Sequence, residues 1–186
     1  TSLPLSWTIL PVADSAFLYM PPRKPGEVVS LGIFDMSRRN TGGNKMTEDK
    51  WMAVKRLDFF SDCLRRRVEY HVAMPGDCME ETTAAAEKRK QLKVLVFLHG
   101  YCEMGIDFLE KTDIEALAEK YRLCVILPNG ENSFYLDGKA TGRQYGTYVG
   151  VEIPDHARRV LGLSDKREDT FIGGTSMGGF GAIHTG

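Results

Sequence analysis

The stretch that most constrains the fold is 92–98, Leu-Lys-Val-Leu-Val-Phe-Leu, ended at once by His99 and Gly100. Successive strand residues face opposite sides, so a run this apolar must be covered from both, as in a parallel sheet packed between helices. The pattern repeats downstream. Residues 123–127 form a second apolar run closed by Pro128, Asn129 and Gly130, and residues 170–173 form a third. Between the first two, Ile114, Leu117, Ala118 and Tyr121 keep the helical spacing i, i+3, i+4, i+7, with Thr112 and Glu115 in capping-box register. Between the second and third, Pro154 suits the first turn of a helix reaching Leu161. Glycine-rich 173–181 leads into a last helix. Strand, helix, strand, helix, strand, helix predicts an α/β fold with a mostly parallel sheet and helices on both faces.

Upstream, 54–60 and 67–73 read as an antiparallel strand pair, with Val68, Tyr70 and Val72 on one face and Glu69 and His71 on a polar one. Residues 75–91 are a polar connection. Residues 1–51 read as a poorly structured extension preceding a domain of residues 52–186. Pro21, Pro22 and Pro25 cannot donate to a ladder and 37–44 is polar without period, so only a short strand near 28–34 is expected. Met52, or else Met46, is the expected natural start, and a chain beginning at Met52 is expected to match the longer one in stability and activity.

With 24 Lys and Arg against 25 Asp and Glu, the chain has no general field for nucleic acid or an anionic membrane. The short basic runs at Arg65, Arg66, Arg67 and at Lys88, Arg89, Lys90 sit in mixed-charge sequence and read as solvated faces. Cys63, Cys78, Cys102 and Cys124 show no C-x-x-C pair and no histidine at ligand spacing, which indicates no metal site and no disulfide framework. Reduced thiols in a cytoplasmic protein are the expectation. The apolar stretch 3–12 is broken by Pro4 and Pro11, lacks basic residues ahead of it, and is too short to cross a bilayer.

Gly174-Thr175-Ser176-Met177-Gly178 is a G-x-S-x-G pentapeptide placed between a predicted strand and a predicted helix. A serine on so sharp a turn takes a strained backbone, and the residues two before and two after it must lack side chains for strand and helix to approach. Gly174 and Gly178 meet that need. The helix start aims free N–H groups at a reacting carbonyl, with Met177 as one oxyanion donor. The second donor is expected from the loop after 92–98, where Gly100 frees the chain to turn beside His99 and Tyr101 offers its N–H. Phosphate-binding alternatives fail, because no lysine follows the glycines and Gly179 and Gly181 lack the third glycine of a dinucleotide loop.

Residues 52–61, 95–100, 125–129, 134–137 (Phe-Tyr-Leu-Asp) and 166–181, with the extended Ser176-Met177-Gly178-Gly179 elbow, resemble the tributyrin esterase branch of the esterase D and S-formylglutathione hydrolase family of α/β-hydrolases. The resemblance runs from Met52 to the end. It implies a serine carboxylesterase without metal or cofactor, acting on a small-molecule ester with a short, acetyl-type acyl group through an acyl-enzyme. Alternatives are S-formylglutathione hydrolysis, hydrolysis of acetylated or feruloylated sugars, or, in another class, a non-catalytic binding domain that keeps the fold. No nucleic-acid or membrane partner is implied, and the oligomeric state stays open.

In this fold the acid and histidine follow the serine. Only ten residues follow Ser176, and the one histidine among them, His184, lies eight positions on, about 12 Å along a helix axis. That is beyond hydrogen-bond reach. His71, His99 and His156 have other expected places, and Asp155, Asp165 and Asp169 precede the serine. The chain therefore reads as an amino-terminal portion truncated inside the elbow helix, with Ser176 its one triad residue. Alone, it is expected to show no turnover and to aggregate, because the strand carrying Gly173 would be a bare apolar edge.

Overall fold

The computed structural model describes two short strands, β1 (Ser15–Tyr19) and β2 (Ile33–Asp35), and then residues 53–186. The later strands are β3 (Ala53–Ser61), β4 (Arg66–Met74), β5 (Lys93–Leu98), β6 (Leu123–Pro128) and β7 (Thr170–Gly174). The helices are α1 (Thr83–Arg89), α2 (Ile106–Lys111), α3 (Ile114–Tyr121), α4 (Tyr145–Thr147), α5 (Ile153–Leu161) and α6 (Met177–Thr185).

One sheet contains all seven strands in the order β2-β1-β7-β5-β6-β4-β3. The sheet is parallel at its centre, where β5 lies between β6 and β7, and antiparallel on both flanks. Leu95 stands opposite Val125 and Phe171, and Val96 opposite Ile126 and Ile172. Alternation along β5 then divides the core. Val94, Val96 and Leu98 join Tyr70, Val72 and Ile126 beneath α5 and α6, while Leu95 and Phe97 join Val125 and Leu127 beneath α2 and α3. Each such side chain contributes roughly 1.5–3 kcal/mol on burial, which explains why the central strand carries almost nothing polar.

Several expectations change. His71 is buried rather than on a wet face, because it stands opposite Leu127 on the sheet face that packs beneath α2 and α3. The Thr112 and Glu115 capping box does not form: Thr112 closes α2, donating its hydroxyl to the Phe108 carbonyl, and α3 begins after Asp113 without a side-chain cap. The 75–91 connection contains α1, whose first turn is capped by Thr82 Oγ1 accepting from the Ala85 N–H at 3.1 Å. Its Ala, Glu and Lys residues carry no apolar period to announce it. The Pro154 helix starts earlier, since α4 and a π-helical turn (Tyr148–Glu152) run straight into α5.

The outer side of β7 is not bare. β1 lies antiparallel on it, with Leu18 opposite Gly173 and Tyr19 opposite Ile172, and β2 pairs with β1. Two pieces of the segment expected to be unstructured are thus strands, the second overlapping the end of the 28–34 expectation. The remainder of residues 1–51, with both alternative starts, lies outside the described residues. The carboxyl ends of β5, β6 and β7 emerge together, at Leu98, Pro128 and Gly174, and the loops that follow them converge there. Open α/β sheets bind their ligands at that edge.

Candidate active site

Ser176 sits between the end of β7 and the start of α6 with φ 49° and ψ −114°. A side-chain-bearing residue rarely adopts this conformation, so the surrounding packing must hold it there. The packing is visible at the two glycines. A Cβ on Gly178 would lie 2.1 Å from the Leu98 carbonyl oxygen, and one on Gly174 would lie 2.6 Å from both that oxygen and the Gly178 carbonyl carbon. The Thr175 N–H donates to the same Leu98 oxygen at 3.1 Å. The elbow is therefore clamped onto the end of β5, and Ser176 is left exposed at its tip.

The loop after β5 completes the surround. A Cβ on Gly100 would come within 3.6 Å of the Ser176 Cβ, so this loop borders the serine directly. Among the described residues, the N–H groups of Tyr101 and Met177 have no acceptor, whereas that of Gly100 is taken by Glu103 Oε2 at 2.7 Å. Two free donors flanking one exposed hydroxyl can hold a negatively charged oxygen.

His99 fixes that loop. It is fully buried, its Nε2 accepts from the Gly130 N–H at 2.8 Å, and its Nδ1 faces the Gly100 oxygen at 2.7 Å. The backbone donor on Nε2 puts the proton on Nδ1, which donates to Gly100. Both ring nitrogens are thus occupied in support. Tyr135 provides a second brace: its hydroxyl donates to the His99 carbonyl at 3.0 Å, and its ring occupies the space a Cβ on Gly130 or Gly181 would need. Burial pushes its phenol pKa well up, so it stays a donor.

Ser176, Met177, His99, Gly100, Tyr101, Gly174 and Gly178, the residues expected from the sequence, lie together at the carboxyl ends of β5 and β7. Tyr135, Glu103 and the aromatic surface beside the serine were not among them. Exposed Phe134 lies 5.9 Å from the Tyr101 ring and 6.1 Å from Phe180, one helical turn beyond Ser176. The Phe134-Tyr135 pair was visible only as part of the family resemblance, since positive φ at both is a tertiary matter.

The other histidines are elsewhere. His156 Nδ1 meets the Tyr70 hydroxyl at 2.8 Å while its ring stacks on Phe59, and His184 stacks on Phe180 along α6. The thiols are poor competitors as nucleophiles where burial raises them: Cys124 is pushed up to about 12, and Cys63 to about 11 by burial and then by Glu152. Among the described residues no group of three or more His, Cys, Asp or Glu is placed to hold a metal ion, and no helix is long and apolar enough to cross a membrane.

No family model matches the chain. An acetyl esterase of Caldicellulosiruptor saccharolyticus is 38% identical over 135 residues, covering 73% of this chain and 51% of its own length. A substrate-bound, fluorophosphonate-binding serine hydrolase of Staphylococcus aureus superposes with a TM-score of 0.60 at 31% identity, over 71% of this chain and 50% of that one. The S-formylglutathione hydrolase of the same organism gives 0.57 at 30%, over 72% and 51%. The fold is that of an α/β-hydrolase, and the matches are consistent with the esterase D and S-formylglutathione hydrolase family. It spans about half the length of these relatives. Within this family fold, the Tyr135 brace has a measurable consequence. Tyr135→Phe keeps the ring and loses one hydrogen bond to the loop after β5. Chemical denaturation should show a loss of about 1 kcal/mol.

Proposed function

We propose that the full-length protein is a serine carboxylesterase for small esters with short acyl groups. The observation that carries this reading is the exposed Ser176 on a strained, clamped elbow between two free backbone donors. Ser176 Oγ attacks the ester carbonyl as its proton passes to a histidine base. The N–H groups of Met177 and Tyr101 hold the resulting oxyanion, and its collapse expels the alcohol, which takes that proton. Water, deprotonated by the same base, then releases the acid from the acyl-enzyme. We assign the histidine and its acid partner to sequence outside residues 1–186: His99 is bonded at both ring nitrogens, His156 meets Tyr70, His184 stacks on Phe180, and His71 is buried within β4 opposite Leu127. The four free thiols suit a reducing, cytoplasmic setting.

The likeness to an S-formylglutathione hydrolase supports a second reading, thioester hydrolysis at the same serine. The test compares p-nitrophenyl acetate with S-formylglutathione on the full-length protein, with a fluorophosphonate label mapped by peptide mass spectrometry. Label on Ser176 and turnover favouring the ester are expected. Label on another residue would refute the assignment, and preference for the thioester would select the second reading. Residues 1–186 alone should show no Ser176-dependent turnover, because a missing base costs orders of magnitude even with the oxyanion donors in place.

A further inference from the structure

A cavity of about 390 Å³ opens between the start of β4 and the loops after β5 and β6, lined by Arg66, Glu69, His99, Glu103, Asn129 and Glu131 among others. Its cations are already engaged. Arg66 pairs with Glu131, Arg67 holds Asp58 at 2.6 Å, and Lys111 at the neighbouring α2 holds Asp107 at 2.6 Å, although it still feels the field of Glu103. Asn129 Oδ1 is occupied by the Gly105 N–H at 2.8 Å. Glu103 differs. Among the described residues no cation lies within ion-pair distance of its carboxylate, whose Oε2 accepts from the Gly100 N–H at 2.7 Å. A Cβ on Gly100 would be 2.7 Å from that oxygen and 3.6 Å from the Ser176 Cβ, so the unpaired carboxylate and the serine face each other across one glycine.

We propose that Glu103 makes this site charge-selective, disfavouring esters that carry negative charge near the scissile bond and favouring neutral or cationic ones. This rests on the esterase reading above and deepens it. The charge is exposed, so the effect is moderate and screened by salt. At separations of about 6–8 Å and an intermediate dielectric it amounts to discrimination on the order of tenfold. A glutathione thioester, with more carboxylates than ammonium groups, falls on the disfavoured side. Holding the Gly100 N–H is a separate, positioning role that a neutral side chain can also perform.

The experiment uses matched aryl acetates on the full-length protein: 4-acetoxybenzamide, 4-acetoxybenzoate and 4-acetoxyphenyltrimethylammonium. Each kcat/KM is divided by that ester's own uncatalysed hydrolysis rate. The native protein should turn over the cation best and the anion worst, with the cation-to-anion ratio on the order of tenfold or more at low salt and shrinking as salt is added. Glu103→Gln keeps an acceptor for Gly100 and removes the charge, so the ratio should flatten towards one. Glu103→Ala, which also drops the acceptor, should lower kcat on all three alike. Native ratios that ignore salt, or a Glu103→Gln protein that retains the native ratio, would overturn the proposal. Turnover surviving Ser176→Ala would instead overturn the esterase reading on which it rests.

Discussion

Ser176→Ala in the full-length protein is expected to lower kcat/KM for p-nitrophenyl acetate by at least about a thousandfold, or roughly 4 kcal/mol of transition-state stabilisation. What remains would be the contribution of binding and of the two oxyanion donors, which need no serine oxygen. Stability should hardly change. The side chain is exposed and its hydroxyl has no hydrogen-bond partner among the described residues, so thermal or chemical unfolding should shift by no more than about 0.5 kcal/mol. Ser176→Gly separates function from strain: it abolishes turnover equally, yet should stabilise by about 1 kcal/mol, because glycine accepts φ 49° without a steric cost. Near-parental turnover in the alanine variant would remove Ser176 from the mechanism.

Gly178→Ala should be the most disruptive single methyl addition near the site. The added Cβ would lie 2.1 Å from the Leu98 oxygen, 2.5 Å from the Leu98 carbon and 2.8 Å from the His99 oxygen. All three atoms belong to backbone at the end of the central strand, so no side chain can rotate away. Either α6 or the oxyanion loop must shift. We expect a loss of at least about 3 kcal/mol in denaturant unfolding, and loss of fluorophosphonate labelling in whatever folds. Gly162→Ala is the control. That glycine ends α5 at φ 67° with nothing within 4 Å of its would-be Cβ, so its cost should be only the left-handed strain of about 1 kcal/mol. Equal costs for the two would show that the clamp between elbow and β5 is not as close as described.

Local patterns carried most of the fold. The apolar runs of β5, β6 and β7 announced their burial because a strand covered on both faces has no position for a polar side chain, and the spacing of Ile114, Leu117, Ala118 and Tyr121 marked α3. Helices without such a stripe stayed hidden. α2 is too short to show a period, and α1 has an alanine- and charge-rich surface character. His71 is buried for a related reason: whether the second face of a strand is wet depends on what packs over it, which alternation within β4 cannot say.

At the candidate site, the serine elbow, the two glycines that let strand and helix touch, and the Gly100 turn were all legible in the sequence. Each is a local backbone requirement that only certain residue types satisfy. Tertiary structure alone decided the rest. The partner that fixes His99, expected as loop support, is Gly130, 31 positions away, which donates to its Nε2. Tyr135 became a brace because its ring fits between Gly130 and Gly181. The β7 edge was covered by β1, a pairing between segments far apart in the chain. Glu103 came to face Ser176 only because the clamp at Leu98 brings two loops together. Partners chosen across long sequence separations follow from packing of the whole sheet, and no short-range pattern encodes them.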